Sequence, residues 1–100
     1  MKQTKVIVPW KEGLHLRAAA RLVRLAQASK SVILLKVGER IADARSILAI
    51  LLLCASVGTI VDLEVSGEDE DRVLTSASGI FIPETGTETL FQAPSSSRDD

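Results

Sequence analysis

Gly13-Leu14-His15-Leu16-Arg17-Ala18-Ala19-Ala20-Arg21-Leu22-Val23-Arg24-Leu25-Ala26-Gln27 is the stretch on which the fold turns. From Leu16 to Gln27 it holds no Gly or Pro, and helix formers dominate. Leu16, Ala19, Ala20, Val23 and Ala26 fall at helical spacing and predict one buried face. Arg17, Arg21 and Arg24 follow each other on another face. The stretch therefore reads as an amphipathic helix with a basic stripe, and Gly13 breaks the chain just before it.

The segments on either side read as strands. Thr4 to Val8 is rich in β-branched residues and ends at Pro9. Ser31 to Val37 is a second strand, and Gly38-Glu39 suits a two-residue turn with Gly first. Arg40 to Ala44 returns as a short third strand. Ser46 is a good N-cap for a second helix, Ile47 to Leu53, which is apolar nearly all round. Thr59 to Ser66 alternates: Val61, Leu63 and Val65 point one way, Ile60, Asp62 and Glu64 the other. Gly67 breaks the chain again. Glu68 to Asp71 then load the start of a third helix, where negative charge suits the helix dipole. Val73, Leu74, Ala77 and Ile80 supply its apolar face. The order is β-α-β-β-α-β-α, an α+β fold with helices on one face of an antiparallel sheet. Residues 1–82 form the domain. Pro83 to Asp100, rich in Ser, Thr, Gly and Pro, reads as a polar tail that is at least partly disordered.

Composition narrows the function. The 100 residues carry 12 basic and 13 acidic side chains, a formal net charge of −1. That total argues against a general nucleic-acid or membrane binder. It conceals a split, with ten basic and three acidic residues in the first half and two basic and ten acidic in the second. The single cysteine, Cys54, allows no internal disulfide and no cysteine-based metal cluster, and reads as a packed, inert thiol of a reducing compartment. The longest apolar run, Ile47 to Ala55, falls short of the roughly 20 residues of a membrane span. The first apolar stretch stops at Pro9, too early for a signal peptide. These readings point to a cytoplasmic protein that needs no metal or cofactor.

His15, the only histidine, stands directly before the first helix. Histidine is a poor cap by type, so the first backbone N–H groups of the helix are expected to lack a protein partner. Those donors and the positive helix end form a ready anion site. Arg17 is placed to add a charge-assisted bond. The same positive end disfavours imidazolium, which leaves a ring nitrogen free as a nucleophile. A nitrogen attacking a phosphoryl group there would place the new charge beside waiting donors. The plain alternative is a partly exposed histidine beside a solvated arginine face. Trp10 is near enough in sequence to shield the site, although simple packing explains it as well.

Gly13-Leu14-His15-Leu16-Arg17-Ala18-Ala19 resembles the phosphorylation-site signature of the HPr family, the histidine phosphocarriers of the bacterial phosphoenolpyruvate-dependent phosphotransferase system. The resemblance continues through Arg45-Ser46-Ile47-Leu48, similar to the family's regulatory serine segment, and through Gly58-Thr59 and Ser66-Gly67-Glu68-Asp69-Glu70. It spans about residues 2–82 with the motifs in register. It implies an open-faced β-sandwich, a four-stranded antiparallel sheet with three helices on one face. It implies that His15 accepts a phosphoryl group on Nδ1 from enzyme I, that Arg17 steadies it, and that an IIA-type protein receives it. It implies that Ser46 is the position a dedicated kinase modifies in some members. Arg21 and Arg24, with Ile47, Leu48 and Leu51, would meet partners of a monomeric carrier.

Four positions depart from the pattern. Ala18 replaces the common Pro, as in the family's nitrogen-type branch, which the Ile47 helix also resembles. Leu16 replaces the usual Ala. Glu12 stands where a small polar residue is usual, and would repel phosphate if it faced His15. Cys54 stands where Gly is frequent. Two other kinds of function suit the same residues: a regulatory binding module acting through the Ser46 helix, and a domain that merely binds a free anion at His15 and Arg17. The sequence leaves open whether the pathway is sugar uptake or nitrogen-type regulation.

Overall fold

The alternation in Thr59–Ser66 is the pattern around which the sheet is built. In a computed structural model, which describes residues 1–83, this segment is strand β4 (Ile60–Gly67). Val61, Leu63 and Val65 are fully buried, and the residues between them face outward. β4 is flanked by β1 (Lys2–Ile7) and β2 (Ser31–Val37), and β3 (Arg40–Asp43) lies outside β2, giving the order β1-β4-β2-β3. Every pairing is antiparallel. The register sets Leu63 between Thr4 and Leu35, and Val65 beside Ile33, so one apolar layer runs across the inner face. The outer face is polar at its centre, where Lys5 meets Asp62 at 2.6 Å and Lys36 meets Glu64 at 2.8 Å.

Three helices cover the inner face: α1 (Leu16–Ala28), α2 (Ile47–Leu52) and α3 (Glu70–Ile80). The element order is the one expected. The tail expected from Pro83 to Asp100 falls, beyond Pro83, outside the described residues. The core is aliphatic, built on Leu22, Ile33, Leu35, Ile50 and Leu63, with Phe81 as its aromatic member. Each large side chain of this kind stabilises the fold by about 1.5–3 kcal/mol when fully buried.

Two expectations require correction. The buried face of α1 is Ala18, Ala19, Leu22 and Ala26 rather than a stripe through Leu16 and Val23. Leu22 is the large side chain at the centre, and the alanines a turn either side let the helix approach the sheet. Leu16, in the first turn, lies over the open helix mouth and is 61% exposed. Cys54 is exposed rather than packed. Its φ of 52° places it in the left-handed region just after α2, where the N–H turns back to Leu51 O at 3.1 Å. That geometry directs the side chain outward and explains why glycine suits the position.

The acidic start of α3 does more than complement a dipole. Asp69 makes no side-chain cap bond to its own helix. Its carboxylate accepts from the Ser31 hydroxyl, from Lys30 N at 3.0 Å and from Arg72 at 2.8 Å. It thereby ties the β4–α3 junction to the start of β2. The Ser31 hydroxyl, then the Lys30 N–H, holds this carboxyl below the usual aspartate range. Gly67 makes the junction possible, because a Cβ there would lie 2.6 Å from Lys30 O.

Candidate functional site

The site begins with a chain reversal. Gly13 N donates to Trp10 O at 2.9 Å, and Leu14 N donates to Ala55 O at 2.8 Å. Gly13 has a φ of +80°, and a Cβ there would sit 2.6 Å from Ala55 O. Only glycine fits this close approach. Leu14 is buried and anchors the loop, which leaves His15 at the N-cap of α1.

His15 does cap its helix. With extended backbone (φ −98°, ψ 173°), its Nδ1 accepts from Ala18 N at 3.2 Å. The expectation that the first amides lack a protein partner is corrected for Ala18. Histidine reaches this amide because the ring nitrogen nearest the backbone takes the place of a serine or aspartate oxygen. Among the described residues, the N–H groups of Leu16 and Arg17 have no hydrogen-bond partner. Nδ1 and these two donors therefore share one positive helix end.

His15 lies in a cleft of about 390 Å³. Arg17 and Arg21 line one side, while Arg24 lies outside it. Glu12 lines the same cleft, so a negative charge does share the space with His15. The far wall is Ile80, Ile82 and Pro83, from the end of α3. Trp10 packs against the imidazole with ring centroids 4.7 Å apart and planes at 65°, so it belongs to the site. Phe81 backs Trp10 at 5.7 Å. Nearness along the chain was the one signal for Trp10, and nothing local pointed to Phe81 or the α3 end.

Ser46 is the N-cap of α2, accepting from Ala49 N at 3.1 Å. It is exposed and lies outside the histidine cleft. Its neighbour Arg45 donates to Asp43, and that side-chain bond, then the Arg45 N–H, holds the Asp43 carboxyl below its ordinary range. The all-apolar α2 is only partly buried. Ile47 is exposed, and Leu48 and Leu52 are each 63% exposed, whereas Ile50 is fully buried. Leu51 is half-buried against the core, so the outward leucines are Leu48 and Leu52 rather than Leu48 and Leu51. The sequence missed Leu52 because every residue around this short helix is apolar.

A four-stranded sheet with helices on one face, and a histidine presented at a helix mouth beside two arginines, defines a small histidine-bearing domain of the kind that handles anions or phosphoryl groups. The family model described as "PTS HPr component phosphorylation site" matches residues 2–81. The chain is 37% identical over 81 residues to the phosphocarrier protein HPr of Xylella fastidiosa (strain 9a5c), covering 81% of this chain and 91% of that one. It is 33% identical over 82 residues to the phosphocarrier protein NPr of Escherichia coli (strain K12), covering 81% and 90%. A crystal structure of HPr from Thermoanaerobacter tengcongensis superposes with a TM-score of 0.78 at 30% identity, covering 89% of this chain and all of that one. The chain belongs to the HPr family, and its role is that of a phosphocarrier in the phosphotransferase system. Among the described residues, no helix is long and apolar enough to cross a membrane.

Proposed function

We propose that His15 is the phosphoryl acceptor and that Arg17 steadies the bound group. The supporting observation is the placement of Nδ1 at the mouth of α1, beside the unpartnered N–H groups of Leu16 and Arg17. In the step, the Nδ1 lone pair attacks phosphorus. The N–P bond forms as the bond from phosphorus to the donor atom breaks, and that electron pair leaves with the donor. Nδ1 then has no lone pair for Ala18 N–H, which becomes a third donor for the phosphoryl oxygens. The phosphate is passed on rather than released, so the protein is a carrier and not a turnover enzyme.

The donor in this reading is a phosphoenolpyruvate-dependent enzyme I, and the receiver is an IIA-type protein. Both meet a monomer at the cleft, through Arg21 and the exposed face of α2, with Arg24 steering from the rim. Ser46 is the regulatory position. It is exposed at a helix start that tolerates added negative charge, and it adjoins Ile47 and Leu48. A phosphate there would alter docking while the fold stays intact.

Phosphoenolpyruvate and enzyme I are expected to label the protein in an acid-labile, base-stable form, and His15→Ala to abolish the label. Label that survives His15→Ala would overturn the assignment.

A further inference from the structure

An imidazole at a helix mouth is a nucleophile only in some of its orientations. Its two side-chain torsions allow either ring nitrogen to face the donors. One hydrogen bond of 3.2 Å from Ala18 N to Nδ1 does not by itself hold the ring, since it lies at the long end of the useful range. His15 is also partly exposed, so packing does not enclose it.

The second constraint is Trp10. Its ring lies 4.7 Å from the imidazole centroid at 65°, within the separation at which edge-to-face aromatic pairs attract. Trp10 is itself held from two sides. Its carbonyl accepts from Gly13 N at 2.9 Å, which makes the loop bearing Trp10 and the loop bearing His15 a single turn. Its ring leans on Phe81 at 5.7 Å, and Phe81 is 4% exposed at the end of α3. The chain of contacts thus runs from the core, through Phe81 and Trp10, to the imidazole.

We infer that Trp10 is a positioning residue for phosphoryl transfer, holding the His15 ring so that Nδ1 faces the N–H donors of α1. This rests on the reading of His15 as acceptor. The contact acts on the orientation of the nucleophile and not on donor docking, so its loss lowers the kcat of enzyme I with this protein as phosphoryl acceptor and leaves the KM for this protein. An edge-to-face pair corresponds to about a threefold to tenfold bias in ring population. Another aromatic ring at this position would serve, because an edge-to-face contact draws on the charge distribution of the ring itself.

The test uses the full chain with 15N-labelled histidine, together with enzyme I and phosphoenolpyruvate. At a pH where the ring is neutral, the native protein is expected to show one dominant tautomer with the proton on Nε2, since Nδ1 is an acceptor. In Trp10→Ala the two ring 15N shifts should move toward each other, and kcat should fall about threefold to tenfold with KM unchanged. Trp10→Phe should restore both. Unchanged shifts and kcat in Trp10→Ala, or a change confined to KM, would overturn the inference. If Trp10→Ala does not fold, Trp10→Leu against Trp10→Phe decides it: equal kcat and shifts in the two would overturn it, and loss in Leu alone would support it. A wrong acceptor assignment has a different signature, because label would then survive His15→Ala while the ring shifts still followed Trp10.

Discussion

His15 has two roles that one pair of substitutions separates. It is the proposed nucleophile, and it is also the N-cap of α1 through Nδ1 and Ala18 N. His15→Ala removes both. Loss of an N-cap side chain costs about 0.5–2 kcal/mol, and the 3.2 Å bond argues for the lower half of that range, about 0.5–1 kcal/mol. Loss of the edge-to-face contact with Trp10 adds about 0.5–1.5 kcal/mol. His15→Asn also loses the ring contact, but asparagine is among the best N-caps and its side-chain oxygen restores the bond to Ala18 N. The Asn variant should therefore be about 1 kcal/mol more stable than the Ala variant. For a domain of this size that corresponds to roughly 4–8 °C in Tm. Thermal unfolding followed by circular dichroism reads the difference, and phosphoenolpyruvate-dependent labelling is run beside it. Neither variant should take label. Equal Tm values for the two would show that His15 does not cap α1 in solution, and the account of the helix mouth would fail with it.

Two further outcomes follow from the backbone and the ion pairs. Cys54→Gly should raise stability by up to about 1 kcal/mol in urea unfolding, because a non-glycine residue at φ 52° is strained and the thiol is exposed rather than part of the buried core. A lower urea midpoint would refute that. Asp69 is held below the ordinary aspartate value by the Ser31 hydroxyl first. Its stabilisation is complete above about pH 4 and is lost as pH falls through the lower folded value. Asp69→Asn should be less stable than the native chain above about pH 4, with the two curves converging in acid. Parallel curves between about pH 2 and pH 7 would refute the role given to Asp69.

Glu12 complicates the charge picture. The basic first half of the chain places Arg17 and Arg21 in the histidine cleft beside the α1 mouth, where the proposed reading puts the anion. A carboxylate in the same cleft works against a bound phosphoryl group and in favour of its departure. For a carrier, which must give up what it takes, that opposition is chemically consistent.

Local rules were enough for the element order, the inward row of Val61, Leu63 and Val65, the Ser46 cap and the place of His15 before α1. Each depends on residues within a few positions of one another, and strand period, capping and helix-mouth chemistry are all short-range. The roll of α1 was different. Its alanines are nearly equivalent in hydropathy, so the buried side was set by where Leu22 fits against the sheet. The exchange of Leu51 for Leu52 on the open face of α2 has the same origin, since a helix apolar all round carries no phase to read. The exposure of Cys54 follows from how the chain leaves α2, not from what a thiol prefers. The far wall of the histidine cleft and the Phe81–Trp10–His15 contacts join opposite ends of the domain. Pairings that distant come into being when the helices pack on the sheet, because only then do the first loop and the end of α3 share a surface.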